Sequence, residues 1–291
     1  MSLIYDVSFD STTRVLSLLD KAGNVISSCE VPSKDVDNIR KPLTFRATKD
    51  GSTVKLTRKG SPIGDFQTSR DGGNTWEDYS LGTAITLNTG DEVSFRAKSD
   101  RTSAQSSDNY FYFTMRGKIE AWHNVMSLYR AVDFATYNTV VEYAFNMLFQ
   151  DCTSLTKAPV LPATRLADSC YDSMFSYTSL TEAPALPATT LADSCYSYMF
   201  YGCESLTKAP ALPAKFIKFS GYYCMFTSCS KLKEVRIAAT ANAKYSLDNW
   251  LSGVSATGDF YCDPNAAIFP TGKSGIPKGW RRLNINYYPT T

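Results

Sequence analysis

Apolar and polar residues alternate with a period of two along much of residues 42–100. This alternation is typical of strands that bury one face and expose the other. Clusters rich in Gly, Pro, Asn and Asp separate the alternating runs, which favours several short strands joined by turns. The alternating runs are LTFRA at 43–47, TVKLT at 53–57, AITL at 84–87 and EVSFRA at 92–97. We therefore predict a small Ig-like β-sandwich over residues 41–105.

Residues 1–40 contain two further alternating runs, YDVSF at 5–9 and RVLSLL at 14–19, followed by a short apolar run at 24–26. The pattern predicts a meander of three strands at most, which is marginally stable by itself. Such a unit needs a partner surface, supplied by the sandwich, by other copies of itself or by a larger assembly. We predict that residues 1–40 form an N-terminal β unit for docking or assembly.

The second half of the chain repeats at intervals of 25 or 26 residues. Each unit starts near a Phe anchor, and the first three units continue with Ser-Leu-Thr and then Ala-Pro-x-Leu-Pro-Ala. Such regular spacing indicates equivalent positions in a solenoid, in which each unit stacks on its neighbours. Four phenylalanines hold the anchor position and are predicted to lie in the core: Phe149, Phe175, Phe200 and Phe226.

Each unit is predicted to hold a short strand, a proline-set bend and a short helix. The strand covers the Leu of Ser-Leu-Thr, and paired prolines end it. In the first two units apolar residues recur every four residues, as on the buried face of a helix. These residues are Leu166, Cys170 and Met174, then Leu191, Cys195 and Met199. About four such coils form an elongated rod whose contacts run between neighbouring coils.

The repeated motif MFxxCxSLTxAPxLPA resembles the BspA-type leucine-rich repeats of surface proteins of gut bacteria and of genes in their phages. Residues 117–128 are similar to the strand that opens such arrays, although His123 stands where a Gly is expected. Three short segments between residues 248 and 280 resemble the closing cap of the family. The resemblance implies a capped leucine-rich-repeat solenoid over residues 106–283, followed by a tail at 284–291.

Together these patterns predict a fold that is mainly β with short helices. A small N-terminal β unit and a β-sandwich precede the capped leucine-rich-repeat solenoid. The break in pattern near residue 105 predicts that the solenoid folds without residues 1–105. The N-terminal part loosely resembles structural modules of phage virions, which implies docking on a particle.

Residues 69–76, SRDGGNTW, resemble the Asp-box pattern SxDxGxTW of sialidases and other carbohydrate-active folds. The resemblance implies a structural role, in which Asp and Gly close a hairpin and the Trp packs beneath it. The chain carries this motif once, without an arginine cluster around a tyrosine nucleophile. We therefore assign Asp71 and Trp76 a structural role and do not predict a sialidase.

Composition and charge exclude several classes of protein. Thirty Lys and Arg against 28 Asp and Glu give a net charge of +2, which argues against binding to nucleic acid or an anionic membrane. The single histidine, His123, is too few for most zinc enzymes and for Ser-His-Asp or Cys-His sites. Asp168 and Asp193 hold equivalent repeat positions, which indicates helix-start residues and not a unique active site. We predict no enzymatic activity, no cofactor and no metal site.

Most of the eight cysteines fall at fixed phases of the repeat. Counted back from the repeat Leu, Cys152, Cys203 and Cys229 share one phase, with Tyr177 in the remaining slot. A small side chain in an interior column explains this pattern better than a disulfide framework or a metal site. We predict buried thiols, although stacked coils also allow a disulfide between neighbours.

The chain has 18 tyrosines, and many of them lie in the repeats. Tyrosine suits sugar-stacking and protein-binding surfaces because it offers rigid area and a hydroxyl. The competing interpretation is interior packing, since tyrosine burial is intermediate. We select the tyrosines beside the Phe anchors as a candidate binding surface: Tyr177, Tyr198, Tyr201 and Tyr223.

Two functional classes fit a repeat rod of this kind. The first is a virion component of a phage of gut bacteria, a fibre or a capsid or tail decoration. Its N-terminus docks on other virion proteins or on copies of itself, and its solenoid binds a host surface protein or glycan. The second is a bacterial cell-surface adhesin of the BspA type that binds host protein or polysaccharide. The chain opens with strand-like sequence and shows no signal peptide or membrane span, which favours the virion.

Overall fold

The computed structural model describes residues 6–10, 15–19, 25–30, 38–101 and 105–285. The predicted tail at 284–291 lies outside the described residues from residue 286 onward. The protein is mainly β with very few helices, and its repeats form a β-solenoid of about three turns. This number of turns is lower than the about four coils that the Phe anchors predict.

Three antiparallel strands form a sheet near the N-terminus. They are β1 (Asp6–Asp10), β2 (Val15–Leu19) and β3 (Val25–Glu30). Their order in the sheet is β1-β2-β3, and within the described residues they pair with no later strand. This arrangement is the three-stranded meander that the alternation predicts.

The next nine strands form two sheets that share one core. They are β4 (Thr44–Ala47), β5 (Ser52–Lys59), β6 (Phe66–Ser69), β7 (Glu77–Tyr79), β8 (Ile85–Leu87), β9 (Glu92–Ala97), β10 (Tyr110–Arg116), β11 (Ile119–Trp122) and β12 (Leu155–Lys157). One sheet has the order β10-β5-β8, and the other has the order β12-β11-β4-β9-β6-β7. The ring of Phe113 on β10 lies 4.7 Å from Phe45 on β4 and 5.3 Å from Phe95 on β9, so both sheets contribute side chains to this core.

Strand β11 joins the upstream sheets to the solenoid. It pairs antiparallel with β4 and parallel with β12, so one sheet continues from the upstream strands into the first coil. Strand β10 also belongs with the upstream strands, because it pairs with β5 along all 7 of its residues. His123 follows β11 with a φ of 67°, a left-handed conformation that explains the Gly expected there. A 3-10 helix (Val125–Leu128) comes next.

The later coils add strands in parallel. They are β13 (Lys208–Leu212), β14 (Phe216–Ile217), β15 (Glu234–Ile237), β16 (Ala241–Asn242), β17 (Gly258–Cys262) and β18 (Trp280–Asn284). One sheet has the order β13-β15-β17-β18, and β14 pairs with β16. In the second repeat the predicted strand does not form, because residues 179–188 have no strand pairing. The prolines do not account for this difference, because Pro210 lies inside β13 at the position equivalent to Pro184. The prediction that the paired prolines end the strand is therefore wrong in the third repeat.

The segments predicted as short helices are instead chains of tight turns. Ser173 and Tyr177 have φ angles of 55° and 57°, and a right-handed helix excludes such angles. Successive backbone amides donate alternately to the next coil and within their own turn. Phe175 N donates to Met199 O in the next coil at 2.9 Å. Ser176 N donates to Ser173 O in the same coil at 3.2 Å. The four-residue spacing therefore reflects a turn repeated every four residues and not the helical period of about 3.6.

Two ladders of stacked aromatic rings fill the core of the solenoid. In the first ladder, the ring centroids are 5.4–5.7 Å apart and the planes lie within 12° of parallel. In the second, the spacing is 5.7–6.2 Å and the planes lie within 21°. The first ladder contains Phe113, Phe149, Phe175, Phe200 and Phe226, and the second contains Phe145, Tyr171, Tyr196 and Tyr222. All nine rings are buried, so the ladders hold the coils in one register.

Candidate functional site

The tight turns form one face of the solenoid, here called the turn face, which comprises residues 143–151, 169–178, 194–203 and 220–229. Hydrogen bonds between coils arrange its residues in columns. Ser173 N donates to Ser197 O in the next coil at 2.9 Å. Tyr198 N donates to Tyr223 O in the coil after that at 2.8 Å. In both cases the acceptor immediately precedes the residue equivalent to the donor. Ser173, Tyr198 and Cys224 therefore occupy equivalent positions in three successive coils.

The four tyrosines selected from the sequence lie in four different columns of the turn face. In each column the neighbouring coils carry a small or polar residue at the position of the tyrosine. A tyrosine is therefore not needed for the turn to form. The columns are Ser173-Tyr198-Cys224, Ser176-Tyr201-Thr227, Asp172-Ser197-Tyr223 and Tyr177-Gly202-Ser228.

The structure brings these four tyrosines together, and we call them the tyrosine cluster. The ring of Tyr201 lies 5.3 Å from that of Tyr177 and 5.7 Å from that of Tyr198. The ring of Tyr198 lies 5.2 Å from that of Tyr223. Tyr177 is 46% exposed, and the other three are half-buried. The cluster is therefore continuous from the second coil to the fourth and open to solvent.

The hydroxyls of the tyrosine cluster are paired. Partial desolvation raises the pKa of Tyr177, and a hydrogen bond with Tyr201 raises it further. Desolvation likewise raises the pKa of Tyr198, with a smaller contribution from its hydrogen bond with Tyr223. The phenols of Tyr177 and Tyr198 therefore remain neutral at physiological pH and act as hydrogen-bond donors and acceptors.

Gly202 supports the tyrosine cluster and was not singled out in the sequence. Its φ is 69°, and a Cβ at this position would lie 2.5 Å from Cδ1 of Tyr177. The ring of Tyr177 therefore rests directly on the backbone of the next coil. The Tyr-Gly pair at 201–202 is the sequence signal that could have indicated this support. The left-handed positions of the neighbouring column carry residues with side chains, such as Met147, Ser173 and Cys224, so a glycine at 202 stands out.

We expect Gly202→Ala to destabilise the protein by about 2 kcal/mol. The left-handed backbone costs an alanine about 1 kcal/mol, and the clash with the ring of Tyr177 adds a similar amount. Gly253→Ala is the matched control, because Gly253 has a φ of 74° in the same column and its nearest neighbours stand at 3.4 Å. Urea denaturation measures both variants. Equal losses of stability in the two variants would contradict the close contact between the ring of Tyr177 and Gly202.

A carboxyl group with a raised pKa shares a column with Tyr223. Asp172 is half-buried, and Ser173 Oγ donates to its Oδ1 at 2.6 Å. Burial raises the pKa of Asp172 to about 6, although the hydrogen bond from Ser173 lowers it. Asn146 precedes Asp172 in the column and Ser197 follows it, so this carboxyl is not a repeated feature.

The Asp-box segment forms a closed polar turn. Asp71 accepts hydrogen bonds from the amide of Thr75 at 3.0 Å and from its hydroxyl at 2.6 Å. These bonds hold the pKa of Asp71 well below its usual range. Trp76 is half-buried, donates from Nε1 to Gly73 O at 2.9 Å, and carries the guanidinium of Arg96 on its ring at 4.1 Å. Both residues therefore serve the turn itself.

The seven cysteines with described side chains are buried and free. The column of Cys203 corrects one detail of the sequence interpretation. Thr178, and not Tyr177, fills the vacant slot, since Thr178 Oγ1 lies 3.3 Å from Cys203 Sγ. Phe175 and Leu180 are five residues apart, one fewer than in the other units, so counting back from Leu shifts the register. Tyr177 instead lies in the column of Gly202, where it is exposed to solvent.

The paired acids of the repeats serve a structural purpose. Asp168 Oδ1 accepts a hydrogen bond from the backbone amide of Asp193 at 2.9 Å. Our interpretation of Asp168 and Asp193 as helix-start residues is therefore wrong, because no helix follows either residue. The carboxylate of Asp168 instead links one coil to the next.

A groove of about 500 Å³ lies between the proline-containing runs of the first and second repeats. Pro159, Pro162, Pro184 and Pro187 line it, and Ile39 contributes from the segment that precedes β4. None of the four clustered tyrosines lines this groove. It is therefore a surface feature separate from the tyrosine cluster.

In the described part of the chain, no group of three or more His, Cys, Asp or Glu is placed to hold a metal ion. Within the same residues, no helix has the length and apolar character needed to cross a bilayer. The sequence matches no family model and no curated protein, and the fold matches no solved structure.

Proposed function

We propose that this protein is a non-enzymatic structural and binding protein that displays the tyrosine cluster on a rigid solenoid. In this proposal residues 41–105 are an Ig-like β-sandwich, and residues 106–283 are a capped leucine-rich-repeat domain of the BspA type. The N-terminal β unit at residues 1–40 attaches the protein to a particle or to other copies of itself.

The observation that carries the proposal is the convergence of four tyrosines that the repeat does not require. Buried positions repeat from coil to coil because packing repeats, as the Phe ladder shows. Each clustered tyrosine is instead an exception in its own column, and the four exceptions meet at one place. Exposed aromatic groups on a fixed backbone lose little conformational entropy on binding, which favours recognition.

The setting of the cluster supports display on a larger assembly. Strands β1–β3 pair only with one another among the described residues, so this sheet is available for attachment. The repeated motif supports a protein of gut bacteria or their phages through its resemblance to BspA-type repeats. We propose a virion fibre or a capsid or tail decoration that binds a host surface. A bacterial surface adhesin is the alternative class.

Binding of the labelled full chain to whole cells of a panel of gut bacteria, measured by flow cytometry, tests the proposal. The variant Tyr198→Ser/Tyr201→Ser carries the serines that the preceding coil has at the same positions, so its fold is preserved. We expect its affinity for the recognised cells to fall at least tenfold, about 1.4 kcal/mol. Tyr245→Ser is the matched control, since Tyr245 is 45% exposed and Ser220 precedes it in its column.

Unchanged cell binding by the double variant would overturn the role of the tyrosine cluster and direct attention to the proline-lined groove. Absence of binding to any cell in the panel would overturn the proposed function. Mass photometry of the full chain and of a chain lacking residues 1–37 tests attachment. A stable oligomer that becomes monomeric without residues 1–37 supports self-assembly, whereas two monomers favour docking on another protein.

A further inference from the structure

We infer that the ligand of the tyrosine cluster is a soluble glycan chain without acidic groups. This inference rests on the proposed function and specifies the chemical class of the ligand. Three features of the cluster carry it: the small size of its exposed surface, its charge environment and the angles between its rings.

The exposed area suits sugar rings better than a folded protein partner. Tyr177 is 46% exposed and the other three tyrosines are half-buried. With about 200 Å² for a whole tyrosine side chain, the cluster offers roughly 300 Å² at most. A stable protein interface needs about 800 Å² on each partner. The cluster by itself therefore matches a ligand of a few sugar rings.

The charge around the cluster disfavours an anionic ligand. Residues 144–213, which include Tyr177, Tyr198 and Tyr201, contain three basic and six acidic residues. Only Tyr223 lies in the following segment, residues 214–291, which contains ten basic and four acidic residues. Desolvation and the hydrogen bond with Tyr201 are the main causes of the raised pKa of Tyr177, and the charge of Asp151 adds a smaller contribution. Sulfated, sialylated and uronic acid chains meet like charge at this surface, whereas neutral chains do not.

The arrangement of the rings suits a single flexible chain. Neighbouring rings of the cluster are inclined by 54–72°, so they form a corrugated surface and not a flat platform. A sugar ring can stack on one tyrosine while its hydroxyls reach the phenol of the next. A flat crystalline polysaccharide would contact only the ridges. The geometry therefore selects a soluble chain that bends over successive coils.

The experiment uses the full chain and the cells recognised in the flow-cytometry test. One sample of cells is oxidised with periodate, which cleaves sugar diols, and another is treated with proteinase K. Polysaccharide released from the same cells is separated by anion exchange into a neutral and an acidic fraction. Each fraction then competes with cells for the wild-type protein, for Tyr198→Ser/Tyr201→Ser and for the control Tyr245→Ser.

We expect periodate to reduce binding at least tenfold and proteinase K to leave it unchanged. The neutral fraction should compete for the wild type and for Tyr245→Ser, and it should compete at least tenfold less well for the double variant. Loss of binding after proteinase K alone would identify a protein receptor and overturn this inference, while the defect of the double variant would leave the proposed function intact. Competition by the acidic fraction alone would also overturn it and would point to residues 214–291, in which basic residues outnumber acidic ones by ten to four.

Discussion

A chain of residues 106–291 is expected not to fold, whereas a chain of residues 38–291 is expected to unfold at the same temperature as the full chain. The reason is that the upstream sheets and the solenoid share one core and one hydrogen-bonded sheet. This expectation departs from the break near residue 105 that the sequence pattern suggests.

The contacts at the junction are extensive. Phe113 is the first ring of the aromatic ladder, and it lies between Phe45 at 4.7 Å and Phe149 at 5.4 Å. Removal of residues 1–105 takes away Phe45 together with β4, the antiparallel partner of β11. It leaves the ring of Phe113 and the side chain of Ile119 exposed, which lowers the free energy of unfolding by about 2 kcal/mol for each. A fully unpaired β11 edge would then invite aggregation.

Circular dichroism, near-ultraviolet spectra and limited proteolysis of the purified chains provide the measurement. The 38–291 chain is the matched control, because the described strands that it lacks, β1–β3, pair with one another and with no other described strand. A 106–291 chain with a cooperative transition and protease resistance equal to the control would show that the solenoid is independent of the upstream sheets.

Asp172→Asn is expected to stabilise the protein by up to ~3 kcal/mol at pH 7 and by nothing near pH 3.5. Burial raises the pKa of Asp172 from 3.8 to about 6. A difference of this size corresponds to ~3 kcal/mol. The asparagine removes the charge that burial disfavours, and Asn146 shows that this column accepts an asparagine.

The sign follows from proton uptake. Below pH 3.8 the carboxyl of Asp172 is protonated in both states, so it adds no penalty. Between that pH and about 6 the unfolded chain loses the proton while the folded chain keeps it, and the free energy of unfolding falls as pH rises. Above pH 6 both states are ionised and the penalty is constant.

Urea denaturation of both proteins between pH 3.5 and pH 8 measures this difference. Asp151→Asn is the control, because it removes an exposed carboxylate from the same turn face. The difference between Asp172→Asn and the wild type should grow with pH up to about 6 and then level off. A difference that is independent of pH would show that burial of the charge is not the cause.

Several features of this protein follow from local sequence patterns. Period-two alternation locates β4, β5, β8 and β9. It corresponds to alternating burial most clearly in β5, where Val54 and Leu56 are buried and Lys55 between them is partly exposed. The 25- and 26-residue spacing of the Phe anchors indicates a stacked array, since equivalent positions in a solenoid meet equivalent neighbours.

The four-residue spacing in the repeats was interpreted wrongly, because a helix and a chain of tight turns can both bury every fourth residue. Cys170 and Met174 are buried, as their four-residue spacing predicts, but the chain between them forms turns. The hydrogen bonds of the backbone amides decide between a helix and a chain of turns. In a helix each amide bonds within the segment, whereas here every second amide bonds to the next coil. That partner is about 25 residues away and leaves no mark on the local pattern.

The sequence by itself determined the mainly β character, the repeat register and which tyrosines merit attention. Only the tertiary structure decided that Tyr177, Tyr198, Tyr201 and Tyr223 meet in one cluster, and that β11 joins the solenoid to the upstream sheets. The physical reason is the range of the interactions. Apolar spacing records whether a residue is buried, whereas the identity of its neighbour depends on how separate coils and strands align through hydrogen bonds.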